Sequence, residues 1–302
     1  MRAKRSVLWR MIRGVLLLLM ALTMVSLLVI WRVGAWNLVF PSHSHDTVAP
    51  VIPSGLAAPA VLVFSKTNSF RHVEGIAGGA KALAAIARNR KWGMFHTENG
   101  AVFNATDLAR FSVVVFLNAS GDMLNSEQEL ALQNWVEAGG GWLGIHAAGD
   151  RSHEGWQWYR DNFIGADFTA HIMGPQFQRA TVVLENHLHP VLRGLPDIWQ
   201  HEEEWYSWEQ SPRAENFTIL AVLDEDSYTP VQRFMGNQRD LSMGDHPVLW
   251  SNCIGNGRSV YAAMGHRAEA FAQPQVNQGL DNALQWLMGR SRDACIRATL
   301  SE

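Results

Sequence analysis

The 302 residues include only two cysteines, Cys253 and Cys295, no GxSxG segment, and no long tract of one charge. Each absence removes a class of function. Two cysteines make neither a disulfide framework nor a zinc-finger spacing. Cys253 lies in an apolar strand pattern and Cys295 in a polar tail, so two separate thiols are expected, although an oxidising compartment permits a bridge. Without GxSxG, nothing marks a serine nucleophile on a strand-to-helix elbow. Lys and Arg form no stripe interleaved with aromatic residues, which argues against nucleic acid as a partner. No internal repeat or low-complexity tract occurs. At 47% hydrophobic and 18% charged residues, the composition is that of a globular chain and excludes disorder for most of it.

What is present is unevenly distributed. From Gly14 to Trp31, eighteen residues carry no charge and are mostly Leu, Val, Met, Ile and Ala. As a helix they would extend about 27 Å, close to the hydrocarbon thickness of a bilayer. Arg2, Lys4, Arg5, Arg10 and Arg13 precede the run and only Arg32 follows closely, which places the amino terminus in the cytoplasm. A cleaved signal peptide competes with this reading. Against it, the run exceeds the usual ~7–15 residue apolar region, and no small-x-small site follows cleanly in WRVGAWNLVFPS. The expectation is a single-pass anchor in the inner (plasma) membrane, with Trp31 and Trp36 at the interface and a periplasmic or extracellular domain.

Residues 1–60 carry six Lys or Arg and one Asp, a balance of +5; the chain total of −3 leaves −8 for the remainder. The expected divisions are a basic end and anchor over 1–35, a linker over 36–60, a domain over 61–290 and a tail over 291–302. Four prolines between Pro41 and Pro59 mark the linker, which should hold the domain off the membrane, and His43 and His45 read as solvated linker residues.

Within the domain, VLVF (Val61 to Phe64), Trp92 to Phe95, VVVFL (Val113 to Leu117) and WLGI (Trp142 to Ile145) are short, nearly continuous apolar runs. Helical spacing over Glu74 to Ala87, and a capping box at Ser126 and Glu129 before Leu132, Trp135 and Val136, alternate with them. Buried strands alternating with helices predict a doubly wound α/β fold with a parallel sheet sandwiched by helices. The Trp-rich, acidic stretch from Gly155 to Asp245 reads as an elaboration of that sheet, with extended segments at Ala180 to Leu184 and Phe217 to Val222. PVLW and SVYAAM, joined by GNG, return to strand pattern, and Leu280, Ala283, Leu284 and Leu287 stripe a closing helix.

In such sheets, ligands bind beyond the carboxyl ends of the strands. Two loops there are rich in polar residues: SKTNSFRH after Phe64, with Arg71 and His72, and HAAGD after Ile145, with His146 and Asp150. His266 follows the SVYAAM strand. His171 follows IGADFTA. In HEEEWY, three carboxylates sit among Trp199, Trp205, Tyr206 and Trp208, a mixture suited to sugar rings, and Glu204 is the pick among them. The catalytic candidates are therefore His72, His146 and Glu204. Substrate contacts are expected from Arg71, Asp150, Trp205, Tyr206 and His266. His72, His146, His171 and His266 are candidate ligands for a divalent metal such as Zn, although no short-spaced pair brings two of these four together in sequence.

These segments resemble the ThuA-like family, named for trehalose utilisation. The resemblance runs through FRH (Phe70 to His72), GGGWLGIHAAGD (Gly139 to Asp150), FIGADFTAH (Phe163 to His171), HPVLRGLP (His189 to Pro196), EEWY (Glu203 to Tyr206) and PVLW with GNGRSVYAAMGH (Pro247 to His266). It implies a flavodoxin-like fold of the class I glutamine amidotransferase type and an association with disaccharides or their keto derivatives. Amidotransferases place a cysteine nucleophile on the turn that here reads His146, Ala147, Ala148, so their chemistry is not expected. Two functions remain: an enzyme acting on a small carbohydrate by His/Glu acid–base or metal-assisted chemistry, or a noncatalytic module that binds glycans or a protein. Oligomeric state leaves no signature.

Overall fold

The computed structural model describes residues 2–153, 155–289 and Cys295. Its strands are β1 (Ala60–Phe64), β2 (Gly93–Thr97), β3 (Val113–Leu117), β4 (Gly141–Ile145), β5 (Phe168–His171), β6 (Gln178–Leu184), β7 (Ile198–Glu203), β8 (Tyr206–Trp208), β9 (Thr218–Asp224), β10 (Val231–Phe234), β11 (Asn237–Asp240), β12 (Pro247–Ile254) and β13 (Gly257–Ala262). Among the described residues the main sheet has the order β2-β1-β3-β4-β13-β12-β9-β6-β7, while β5 pairs with β8 and β10 with β11. Neighbours from β2 to β13 are parallel and the remaining pairs antiparallel. Followed across the sheet, only β6 and β12 run against the other seven. The fold is thus a mostly parallel, flavodoxin-like sheet flanked by helices, and the 155–245 stretch extends the same sheet.

The sequence explains the layering. β1, β3 and β4 are buried at every position, as strands covered on both faces must be. At the far edge, β7 alternates exposed and buried residues, which turns Trp199, His201 and Glu203 inward. The helices Val73–Arg90, Ser126–Glu137 and Pro274–Leu287 supply the main covering surfaces, and the striped Leu280, Ala283, Leu284 and Leu287 are all buried. The capping box lies one residue earlier than expected: Asn125 accepts from the Gln128 backbone, and the Gln128 side chain accepts from the Asn125 backbone.

Two expectations change. Cys253 and Cys295 form a disulfide, with Cα atoms 6.0 Å apart. The reason is tertiary: Arg258 pairs in register with Cys253 and donates to the carbonyl of Trp286, so the end of the closing helix returns to β12. Apart from Cys295, the tail over 291–302 lies outside the described residues. The second change concerns the linker, which is a strap lying on the domain. Asp46 accepts from Lys66 Nζ (2.6 Å) and the Gly100 amide (2.9 Å), and Asn99 and Gln128 donate to the carbonyls of Val48 and Asp46. His43 and His45 both reach Asp122.

The helix Arg2–Arg32 contains a 24-residue apolar segment, Trp9–Arg32, long enough to span a membrane, a property that signal sequences share.

Candidate functional site

The loops after β1, β4, β7 and β13 all leave the same edge of the sheet, and they bring His72, His146, Glu204 and His266 together. One nitrogen or oxygen from each lies within 4.8 Å of the others. His146 Nε2 is 3.2 Å from His266 Nδ1 and 3.4 Å from Glu204 Oε2, and His266 Nδ1 is 3.0 Å from the same oxygen. The His72 ring stands edge-on to both other rings, with centroids 4.8 Å from His146 and 4.5 Å from His266. Gly75 permits this approach, because a Cβ there would lie 2.4 Å from the Gly265 carbonyl oxygen.

The surrounding chain fixes the ring orientations. His146 sits directly after β4 with φ of +51°, a left-handed conformation uncommon for a residue with a side chain. Its carbonyl accepts from Tyr261 OH (2.7 Å), and its Nδ1–H donates to the Ala263 carbonyl (2.7 Å). That carbonyl can only accept, so Nε2 is the nitrogen turned to the cluster. Glu203, whose importance the sequence did not signal, is buried and accepts from the amides of Gly265 (2.7 Å) and Glu204 (2.9 Å). It thereby holds the β13 loop against the end of β7. Asn118 adds a bond to the Gly265 carbonyl.

The electrostatics favour a neutral His72 beside an ionised Glu204. Burial, then the neighbouring His146 and His266, keep His72 well below the ordinary imidazole value. Burial pushes Glu204 up, but the hydrogen bonds from His146 and His266 outweigh it and hold the carboxyl far below its usual range. Burial likewise lowers His146, and Glu204 with Glu203 more than reverses this. His72 Nδ1 is buried without a hydrogen-bond partner, a deficit that costs about 1–3 kcal/mol unless something meets it. Three imidazoles and one carboxylate, with one buried ring nitrogen unpartnered, are a fitting donor set for a divalent ion.

The expected ligand set shifts by one member. His171 Nδ1 contacts the other Glu204 oxygen at 3.0 Å, joined there by Gln176 Nε2 at 2.5 Å, so it orients the carboxylate from outside the four-atom group. A cavity of about 440 Å³ opens over the cluster; Asp150, Tyr206, Phe70, Phe168 and Met173 line it. Two expected substrate contacts are not brought to it. Trp205 is fully buried and donates to the Gln178 carbonyl, because it faces opposite to its neighbour Tyr206. Arg71 turns to Glu98 (2.6 Å) and Thr67. Asp150 lines the cavity, and burial raises its carboxyl to about 6 against the hydrogen bonds of Ser152.

The ThuA family, described as trehalose utilisation, matches residues 60–287. The chain belongs to the ThuA family. Among solved structures, a ThuA-like protein from Bacteroides uniformis ATCC 8492 is 25% identical with a TM-score of 0.67, covering 82% of this chain and 98% of that one. A ThuA-like protein from Parabacteroides merdae ATCC 43184 shares the fold at 16% identity, with a TM-score of 0.58 over 77% of this chain and 90% of that one. No curated protein matches the chain. Family membership thus agrees with the motifs that carry the cluster, since His72, His146, Glu204 and His266 all fall inside the matched range.

Proposed function

We propose that this ThuA protein is an enzyme that rearranges or cleaves a carbohydrate, a disaccharide or its keto derivative, at the His72–His146–Glu204–His266 cluster. The observation that carries this reading is the convergence of four metal-competent side chains at the carboxyl edge of the sheet, where His72, with an unpartnered ring nitrogen, Glu204 and His266 line a cavity and His146 lies buried behind them. The four residues would hold a divalent ion, and a bound ion supplies Lewis-acid polarisation of a substrate oxygen. His171 and Gln176 keep Glu204 oriented. Tyr206, tilted at 36° to the His146 ring with centroids 4.3 Å apart, lines the cavity and offers an aromatic wall for a sugar ring. Chemistry next to a keto group requires a proton to be taken from one atom and returned to another near neutral pH. Asp150, with its carboxyl raised to about 6, is suited to that task.

The same proposal places the domain outside the cytoplasm on an uncleaved anchor. Five basic residues before the apolar helix and the Cys253–Cys295 disulfide support it. The test is product analysis of the full-length protein against disaccharides and their keto derivatives, alongside elemental analysis. A sugar that binds but is never converted, at any metal supply, would replace the enzyme with a binding module.

A further inference from the structure

The wall of the cavity is not built only by the ThuA domain. Val33 and Leu38, one and six residues beyond the end of the long apolar helix, line the same space as His72, Glu204 and His266. One residue advances the chain by at most about 4 Å, so the reactive cavity begins where the apolar helix stops. The junction is fixed. The Arg71 amide donates to the Gly34 carbonyl (2.8 Å), and Asn37 Nδ2 donates to the Thr67 carbonyl (2.7 Å). Gly34 has φ of +81°, and a Cβ there would lie 2.0 Å from the Arg71 carbonyl oxygen, so only glycine allows this contact. Around the junction Trp31, Val33, Trp36, Leu38, Val39 and Phe40 are exposed, with Arg32 the only charge between Trp31 and Pro41. Aromatic and aliphatic side chains in this arrangement match the interfacial zone of a bilayer. The strap over residues 41–59 then folds back along the domain, which removes the slack that would let the domain stand off.

We propose that the substrate is a glycolipid: a sugar carried on a lipid of the outer leaflet, entering the cavity from the bilayer surface past Val33 and Leu38. This rests on the anchored, carbohydrate-acting reading above and adds the substrate class. A free sugar would have to reach a mouth set against lipid headgroups. A lipid-linked sugar already sits at that depth, and its first apolar carbons would meet Val33, Leu38, Phe70 and Met173 while its head reaches His72 and Glu204.

The experiment uses the full-length protein in its host membrane and in phosphatidylcholine nanodiscs. Alkaline carbonate extraction is done first; release of the protein would overturn both the anchor and this inference. A bimane label on Leu38→Cys, attached selectively because the native cysteines are bonded to each other, should be quenched by phosphatidylcholine brominated near the headgroup end of its chains. The same label on Asn89→Cys, at the opposite edge of the sheet, should not. Lipids retained by the Asp150→Asn protein, which lacks the proton-transferring carboxyl but keeps the four-residue cluster, should be enriched in glycolipid about tenfold over the bulk membrane, a bias of about 1.4 kcal/mol, and adding Leu38→Glu should remove the enrichment. An unquenched label at position 38, a retained lipid composition equal to the bulk, or enrichment that survives Leu38→Glu would each overturn the glycolipid inference. Conversion of a free sugar by the unaltered protein as fast as the same sugar on a lipid would do the same while leaving the enzymatic reading intact.

Discussion

Two buried histidine–carboxylate groups in this molecule use the same residue types to opposite ends. At His246, both ring nitrogens are consumed by the fold: Nδ1 meets Glu225 (2.8 Å) and Tyr228 OH (3.1 Å), and Nε2 donates to the Tyr206 carbonyl (2.8 Å). Glu225 also accepts from the amides of Met243 and Gly244, so its oxygens are committed as well. The group closes a loop. At Glu204, three rings crowd one carboxylate, His72 Nδ1 has no partner, and a cavity opens above them. Satisfied polar groups stabilise a fold, whereas an under-satisfied, pre-oriented set is poised to take up something else. Burial alone does not distinguish the two; the fate of each lone pair does.

The comparison breaks if the two groups respond alike to mutation. Turnover should fall by at least about 10³-fold in His146→Ala and in Glu204→Gln with circular dichroism unchanged, whereas His246→Gln should keep most of it. Equal losses at the two places would make the distinction empty. In Asp150→Asn the rate should drop about 10²–10⁴-fold. In the wild type the base form of Asp150 grows as pH rises, so the rate should climb through about pH 6, a limb the variant should lack.

Metal content should sharpen the division further. His266→Ala should lose stoichiometric divalent ion by elemental analysis, and His171→Ala, which acts through Glu204, should weaken affinity only about 10–100-fold. His246→Ala should leave metal content intact but lower stability by about 2–3 kcal/mol, since it strands the Tyr206 carbonyl and Glu225; thermal unfolding measures this. The smallest effect concerns acid. Burial pushes Glu225 up, but the hydrogen bonds from His246, Met243 and Gly244 bring its carboxyl down to about 2 from 4.5. The stabilisation it gives is therefore complete above pH 4.5 and declines as pH falls towards 2. Glu225→Gln should therefore lower the unfolding free energy at neutral pH and flatten its decline over that window.

Much of the candidate site was legible because strand ends are legible. WLGI and SVYAAM announce buried strands, so His146 and His266, the polar residues next to reach the carboxyl edge, stand out without any structure. Glu204 was visible as a carboxylate among aromatics. Its neighbour Glu203 was not, because its role depends on β7 being an edge strand whose alternation turns His201 and Glu203 inward toward the β13 loop. The same alternation removes Trp205 from the cavity. Arg71 misleads for another reason: it stands in the right loop, but Glu98 beyond β2 claims its guanidinium.

The sequence by itself determined the apolar amino-terminal helix, the alternation of buried strands with helices, and membership of the ThuA family. These follow from local pattern, in which hydrophobic period and turn residues act within a few positions of one another. Tertiary structure decided the disulfide, the folded-back strap and the closeness of the cavity to the end of the apolar helix. It also decided that His72, separated from Glu204 by 132 residues, shares a wall with it. Such contacts arise from sheet order and from where covering helices end, and short-range pattern carries no record of either.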